Sequence, residues 1–238
     1  MTTYDLSHPI DSGTPAYPGD PSPDVEPAAT VEEDGYRVSK LEIGTHTGTH
    51  IDAPAHVIDE GKPLDAFSLE TFRFDTLLVD LGFLEPREPI TWERLEATIE
   101  SAGAEAVSTS GRPETVSTPE RAADTDLILV RTGWEHHWGT ERYHDHPYLT
   151  ADAAREIIER GWSIGIDAWS VDPSPSPGAN ADEPSGLPAH HVLLENESFI
   201  VENLRGLSDL PTAFELHAYP LPVRNADGSP VRAVAVDG

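Results

Sequence analysis

The sequence predicts one domain of the α+β or mixed α/β class, and three observations support this. Its 238 residues suffice for one large hydrophobic core. Short apolar runs typical of buried strands occur among longer segments of helical character, without the regular strand–helix rhythm of a purely parallel protein. No internal repeat divides the chain, so we treat residues 1–238 as a single domain.

Loops and strands are predicted for much of the chain up to Arg131. Six prolines between Asp5 and Pro27 exclude a regular helix there. Residues Tyr36–Ile43 alternate between apolar and polar types, which suits a strand. Two apolar runs, Thr76–Leu81 and Leu127–Arg131, are predicted to be buried strands.

The helices are predicted over Glu93–Ser101 and Thr150–Arg160, the second with Thr150 as its N-cap. Ser163–Ile166 and Phe199–Val201 are further candidate strands. Between the first helix and Leu127, the stretch Ala102–Ala123 is rich in Ser, Thr, Gly and Glu. We expect it to be a surface loop or insertion.

The charge balance excludes several classes of partner. Asp and Glu total 43 against 15 Lys and Arg, for a net charge of −28. Nucleic acids and anionic membranes require clustered cations, so neither is an expected partner. We interpret the acidic excess as a solvating surface rather than a binding patch. Because concentrated salt screens such repulsion, a halophilic, salt-rich cytoplasm is our hypothesis for the host.

Membrane and disulfide chemistry are also excluded at this level. No run of about 18 apolar residues is present, and the N-terminus does not resemble a secretory signal. The absence of cysteine excludes disulfides, thiolate metal sites and cysteine nucleophiles. We therefore expect a soluble cytoplasmic protein.

Candidate chemistry concentrates in residues 46–56, HTGTHIDAPAH. Four side chains that bind metals or transfer protons stand there at even spacing, namely His46, His50, Asp52 and His56. In an extended chain, residues two apart share a face, so these four would point the same way. A helix would also pair the first two histidines, as in the zinc motif HExxH, but Gly48, Pro54 and the β-branched neighbours oppose it. We predict a strand that ends in a loop.

If His46 and His50 bind the same ion, the segment between them must bend. A straight strand would hold His46 and His50 about 13 Å apart, whereas bonds to zinc are about 2.0–2.2 Å. Gly48 is the residue that permits such a bend. Imidazole and carboxylate together suit zinc or manganese. The alternative, that these histidines only form hydrogen bonds within a turn, does not account for four convergent groups.

Further ligands must come from distant parts of the chain. The candidates are His190, His191 and Glu202, the last at the end of an apolar run where an uncompensated carboxylate is costly to bury. An exposed glutamate at a strand end is the alternative for Glu202. A second histidine cluster, flanked by charges, is interpreted as mostly exposed; it comprises His136, His137, His144 and His146.

The segment HTGTHIDAPAH resembles the H-x-G-T-H-x-D-x-P-x-H signature of the cyclase family, which includes bacterial kynurenine formamidases and isatin hydrolases. The resemblance extends through DLSHPIDSGTPAYPGDP, ILVRTGW, GIDAWSVDPSP, HHVLLENESFIVENL and GSPVRAVAV. The main departure is Ala102–Ala123, which is longer and more polar than the resemblance predicts. The resemblance implies a swivelling β/β/α-type single domain around a barrel-like mixed sheet, assembled as a homodimer or homotetramer.

The resemblance also implies roles for individual residues. The metal ligands would be His46, His50, Asp52, His190 and Glu202. The spacing of twelve positions to Glu202 favours His190 over His191. One or two divalent ions, zinc or manganese, would be held, with Asp52 able to bridge a pair, and His56 would be the general acid/base.

This chemistry predicts a metal-dependent hydrolase acting on a small amide, formamide, lactam or ester, with N-formylkynurenine as one candidate substrate. A metal ion lowers the pKa of bound water from 15.7 to about 7. His56 would then move the proton to the leaving amine. Tyr17 and Trp169 are candidate substrate contacts, with core packing as the alternative for both.

Other functional classes were weighed against this one. A serine hydrolase lacks its G-x-S-x-G turn, and no dinucleotide fingerprint or P-loop is present. A metal-dependent small-molecule binding protein of the same fold without turnover is the alternative. His56 argues against it, since a binding protein has no evident need of an acid/base.

Overall fold

The computed structural model describes residues 1–109 and 125–237. The strands in this part are β1 (Thr2–Asp5), β2 (Asp24–Ala29), β3 (Val38–Glu42), β4 (His50–Asp52), β5 (Arg73–Asp80), β6 (Pro89–Ile90), β7 (Leu127–Arg131), β8 (Tyr148–Leu149), β9 (Ser163–Ile166), β10 (Ile200–Glu202), β11 (Ala213–His217), β12 (Gly228–Pro230) and β13 (Val234–Asp237). The α-helices are α1 (Val31–Asp34), α2 (Trp92–Thr109), α3 (Ala151–Glu159) and α4 (Pro188–Glu195). Among the described helices, none is long and apolar enough to cross a membrane.

Nine strands form one mixed sheet in the order β1-β13-β11-β5-β7-β9-β10-β4-β12. The four central strands β5, β7, β9 and β10 run parallel, and the outer strands pair antiparallel. The sheet curls into a half-barrel with few helices. The predicted α+β class and barrel-like mixed sheet are therefore confirmed.

The hydrophobic core lies on both faces of this sheet. Ile128 and Val130 of β7 pack with residues of helices α2, α3 and α4, while Leu127 and Leu129 of the same strand belong to a second cluster inside the curl. Burial on both faces explains why β7 is a continuous apolar run rather than an alternating one. Each fully buried side chain of this size contributes about 1.5–3 kcal/mol.

The central strand predictions are confirmed, and one helix is longer than expected. β7 and β9 have the predicted bounds, and α3 begins after Thr150, whose hydroxyl accepts the Ala153 amide at 3.2 Å. The prediction of a loop from Ala102 was wrong up to Thr109, because α2 continues to that residue. The sequence there, AGAEAVST, contains good helix formers that the overall polarity of the stretch concealed. The remainder of the predicted loop, residues 110–123, lies outside the described residues.

A two-stranded hairpin of β2 and β3 stands apart from the main sheet. The alternation of Tyr36–Ile43 correctly predicted a strand, yet every residue of β3 is exposed. Its large apolar side chains are accordingly open, with Val38 46% and Leu41 58% exposed. In this chain, the hairpin therefore has no apolar face packed on the core.

Candidate metal centre

The centre of the site is β4, which lies between β10 and β12 in the sheet. In the antiparallel register with β10, His50 pairs with Glu202 and Asp52 with Ile200. Residues two apart share a face of a strand, so His50 and Asp52 point to one side. The register brings Glu202 to the same side, and its Oε2 lies 3.5 Å from His50 Nε2.

The bend predicted at Gly48 is present and brings His46 back onto β4. Gly48 has φ +65°, in the left-handed region that glycine adopts without strain. His46 Nδ1 lies 2.7 Å from Asp52 Oδ1. Gly228 is also required, because a Cβ atom there would come within 2.5 Å of His46 Cε1. A tight turn and a missing side chain on the neighbouring strand together admit the imidazole ring.

His190 enters the site from the first turn of α4. Asp172 accepts the backbone amides of Ala189 and His190, both at 2.9 Å, and His190 Nδ1 at 2.8 Å. The ring is thereby turned so that Nε2 lies 3.5 Å from Glu202 Oε1 and 3.7 Å from Asp52 Oδ2. His191, the other candidate, is exposed and lies outside this cluster.

These side chains fit a divalent cation. Potential ligand atoms lie within 4.8 Å of one another in two groups that share Asp52, one with His46 and His50 and the other with His190 and Glu202. Asp52 is fully buried, and its Oδ2 has no hydrogen-bond partner among the described residues. An unpartnered buried carboxylate oxygen is costly unless a cation compensates it.

Each imidazole of this cluster also has a hydrogen-bond acceptor on its outer side. His50 Nδ1 donates to the Gly48 carbonyl at 2.9 Å, and His190 Nδ1 donates to Asp172. His46 has Asp227 Oδ2 3.1 Å from its Nε2. Such outer partners fix the tautomer and leave the inner nitrogen lone pair for a metal.

The electrostatics of the cluster are dominated by buried carboxylates. Burial by itself lowers the pKa of His190, but its hydrogen bond to Asp172 and the nearby carboxylates of Asp52 and Glu202 outweigh this and raise the pKa to about 10. The pKa of His46 is likewise raised to about 9, against the effect of burial, chiefly by Asp52 and Asp227. The site thus favours positive charge, whether protons or a metal ion supply it.

His56 stands at the edge of this cluster, in the short 3-10 turn Pro54–His56. Its ring centroid lies 4.0 Å from that of His46 and 5.7 Å from that of His190. The side chain is 25% exposed, and its Nδ1 lies 3.6 Å from Asp227 Oδ2. His46 and His56 hold the pKa of Asp227 well below its usual range, so this carboxylate is ionised at neutral pH.

An aromatic wall adjoins the site. Tyr17 is partly buried and contacts Trp169 edge-on at 6.3 Å between centroids, and burial, with smaller contributions from the charges of Glu202 and Asp172, raises the pKa of its hydroxyl. Trp169 is only 6% exposed and packs against Tyr143 and His144. Tyr17 therefore presents the accessible surface of this pair, and Trp169 supports it from behind.

The second histidine cluster corrects one interpretation. Only His136 of the four is exposed, whereas His137 and His144 are partly buried. His146 is fully buried, with Nδ1 2.8 Å from the Pro147 carbonyl and Nε2 2.6 Å from Ser174 Oγ. Neighbouring charges in the sequence concealed this, because they belong to side chains that point elsewhere.

Two acidic residues of the site, Asp172 and Asp227, were missed from the sequence. Asp172 lies within the segment GIDAWSVDPSP, and Asp227 directly precedes GSPVRAVAV. Among 43 acidic residues, however, no local pattern distinguishes them.

Comparison with known proteins identifies the family of this chain. The Cyclase family model, described as "Putative cyclase", matches residues 4–173. The kynurenine formamidase of Bacillus anthracis is 32% identical over 232 residues, covering 97% of this chain and 95% of that protein.

Solved structures share the fold over almost the whole chain. An isatin hydrolase bound to the product analogue thioisatinate has a TM-score of 0.78 at 21% identity, covering 98% of this chain and 91% of that one. A structure described as a potential metal-dependent hydrolase with cyclase activity has a TM-score of 0.68 at 24% identity, covering 98% and 96%. The family match and the full-length relative together place this chain in the Cyclase family.

Proposed function

We propose that this chain is a metal-dependent amidohydrolase that cleaves the acyl C–N bond of a small amide. The observation that carries the proposal is the convergence of imidazole and carboxylate atoms around the unpartnered Asp52 Oδ2. The proposed ligands of the divalent ion are His46, His50, Asp52, His190 and Glu202. Zinc and manganese both suit this donor set, and the two groups that share Asp52 suit one or two ions.

The chain's own residues would carry out the proton transfers. A divalent ion supplies Lewis acidity, which polarises a carbonyl and lowers the pKa of a water molecule. With Nδ1 directed at Asp227, His56 has Nε2 free to take a proton from the attacking water. The same nitrogen then returns the proton to the leaving amine as the C–N bond breaks. Free carboxylic acid and amine are the products.

Formylated aromatic amines are the substrate class we favour, with N-formylkynurenine as the first to test. Tyr17 offers a partly exposed aromatic face beside the proposed ligands, and such a face suits an aromatic ring. The 32% identical relative is a kynurenine formamidase, which supports the same choice. Lactams are the second candidate, supported by the shared fold with an isatin hydrolase.

The first experiment is elemental analysis of the purified protein, followed by hydrolysis of N-formylkynurenine with and without a chelator. We expect one or two equivalents of zinc or manganese and turnover that the chelator abolishes. Metal without turnover would redirect the search to lactams and other amides. Absence of metal after reconstitution would contradict the ligand assignment.

The alternative is a binding protein that lacks turnover, which the relatives do not favour. A single variant distinguishes it from an enzyme. In His56→Ala, we expect the metal content to persist while kcat falls by about 10²–10⁴-fold, the usual contribution of general acid–base catalysis. The matched control is His191→Ala, an exposed histidine outside the cluster, which should leave both quantities unchanged. Unchanged kcat in His56→Ala would remove His56 from the mechanism.

We also propose that the protein works as a homo-oligomer, the smallest form being a homodimer, in a salt-rich cytoplasm. The exposed apolar side chains of the β2–β3 hairpin support the first statement. The net charge of −28 supports the second, because salt screens the repulsion among surface carboxylates.

A further inference from the structure

Asp227 occupies a fixed position immediately before β12. Its carbonyl accepts the Ala53 amide at 2.9 Å, and the next residue, Gly228, pairs with Asp52 across the β12–β4 register. The preceding turn is held by Asp65, whose Oδ1 accepts the Asn225 amide at 3.0 Å. Backbone contacts on both sides therefore determine where the Asp227 carboxylate lies.

That carboxylate contacts two imidazoles through one oxygen. Asp227 Oδ2 lies 3.1 Å from His46 Nε2 and 3.6 Å from His56 Nδ1. The two rings are themselves only 4.0 Å apart between centroids. No other described carboxylate makes an ion-pair contact with His56. A single acidic side chain thus faces both a proposed ligand and the proposed acid/base.

The hydrogen-bonding roles of the two rings follow from this contact. An ionised carboxylate only accepts, so His46 Nε2 carries a proton when it bonds to Asp227. At 3.6 Å, His56 Nδ1 is in ion-pair range of the same oxygen, whose charge favours a proton on that nitrogen. His46 Nδ1, which lies 2.7 Å from Asp52 Oδ1, is then the nitrogen that would face a cation held together with Asp52. His56 keeps the lone pair of Nε2 for a substrate or water. Without Asp227, either ring is free to adopt the other tautomer or to rotate.

We propose that Asp227 is a positioning residue that holds His46 and His56 in the tautomer and orientation that metal binding and proton transfer require. This inference rests on the proposed function, in which His46 is a ligand and His56 is the acid/base. Asp227 acts through its contacts with these two rings rather than on the substrate. Its role toward His46 matches that of Asp172 toward His190, and outer carboxylates of this kind commonly change metal affinity or activity 10- to 100-fold.

The test compares Asp227→Asn with Asp65→Asn, a carboxylate that contacts the turn before Asp227 but no imidazole and whose accepting Oδ1 is kept by asparagine. Zinc binding to the metal-depleted protein is measured by competition with a chromophoric chelator. We expect Asp227→Asn to weaken binding about 10- to 100-fold and Asp65→Asn to leave it unchanged. This measurement requires no substrate. Asp227→Glu, which keeps the charge, should recover part of the affinity.

Kinetics at saturating zinc test the contact with His56. For N-formylkynurenine, we expect Asp227→Asn to lower kcat about 10- to 100-fold with KM within about twofold of the wild type, as a residue that acts through His56 rather than on the substrate should. In a His56→Ala background, Asp227→Asn should cause no further loss of kcat. A full additional loss there would show that Asp227 does not act through His56 and would overturn that half of the inference.

The remaining outcomes separate this inference from the proposed function. Wild-type zinc affinity and kcat in Asp227→Asn, or equal losses in Asp65→Asn, would overturn the positioning role alone. A loss of one whole equivalent of zinc in Asp227→Asn would overturn it in favour of a ligand role, since Asp227, His46 and His56 also form a possible metal-binding group. A wild-type protein that binds no zinc or manganese would overturn the proposed function together with this inference.

Discussion

At the residue scale, the three histidines that converge on Asp52 differ in what holds their outer nitrogen. His50 uses the carbonyl of Gly48 in the bend before it, whereas His190 and His46 use the carboxylates of Asp172 and Asp227. The backbone carbonyl belongs to the same bend as His50, whereas each carboxylate belongs to a different segment of the chain. The local histidine motif is therefore incomplete without residues far from it in the chain.

His146 makes a residue-scale prediction about stability and pH. Burial lowers its pKa from 6.5 to about 4. Between pH 4 and pH 6.5, the unfolded chain binds a proton at this histidine that the folded protein does not. The contribution of neutral His146 to the free energy of unfolding is therefore fully present above pH 6.5 and is lost as the pH falls toward 4. Lowering the pH from 7 to 5 should therefore reduce the free energy of unfolding by about 2 kcal/mol through this group alone.

The measurement is the free energy of unfolding by denaturant at pH 7 and pH 5, compared between wild type and His146→Gln. We expect His146→Gln to be destabilising at pH 7, with a smaller difference from wild type at pH 5, because glutamine does not titrate. His191→Gln, at an exposed position, is the control. An equal difference at both pH values would contradict the buried, neutral state of His146.

At the element scale, the site depends on how closely β12 approaches the bend before β4. A Cβ atom at Gly228 would lie 2.5 Å from His46 Cε1. We expect Gly228→Ala to displace the His46 ring and weaken zinc binding by at least tenfold, the lower limit for disturbing a supporting contact. The affinity is again measured by chelator competition.

Gly44→Ala is the matched control for this prediction, because its added Cβ would meet only Thr47 Oγ1, at 3.6 Å, an ordinary contact. It lies two residues from His46 and should bind zinc as the wild type does. Circular dichroism should show the same secondary structure for both variants. Normal zinc affinity in Gly228→Ala would mean that His46 is not needed as a ligand.

At the scale of the whole molecule, the β2–β3 hairpin is the element whose apolar side chains the rest of the described chain leaves uncovered. An isolated two-stranded hairpin is at best marginally stable in water, and this one exposes Val38 and Leu41. We expect a second copy to cover it. Light scattering after gel filtration in high salt should give a dimer or larger, and Val38→Asp with Leu41→Asp should shift it toward monomer.

The control for the hairpin prediction is Leu69→Asp, another exposed leucine, which lies outside the hairpin at 67% exposure. It should leave the oligomeric state unchanged. A wild-type protein that is monomeric at all concentrations tested would contradict the prediction.

The net charge of −28 is a second property of the whole molecule. Since the Debye length falls from about 10 Å at 0.1 M salt to about 3 Å at 1 M, repulsion among surface carboxylates should weaken strongly over this range. We expect the thermal unfolding midpoint to rise from 0.1 M to 2 M KCl. Replacing the exposed Glu32, Glu159 and Glu195 by glutamine should reduce that rise. A midpoint independent of salt would contradict the halophilic interpretation.

Local patterns in the sequence determined a large part of this description. The even spacing of His50 and Asp52 and the bend at Gly48 follow from the periodicity of a strand and the conformational freedom of glycine. The apolar runs of β7 and β9 predicted buried strands because their faces are covered on both sides. Each of these features depends only on residues near it in the chain.

The resemblance named His190 and Glu202, but only the tertiary structure decided how these distant residues, and the unpredicted Asp172 and Asp227, come together. Glu202 reaches His50 through the β10–β4 register, and Asp227 reaches His46 because β12 pairs with the other side of β4. His190 rather than His191 faces inward because Asp172 caps the start of α4 and holds that ring. The physical reason is that strand order and register join residues more than 100 positions apart, and no local periodicity records such contacts.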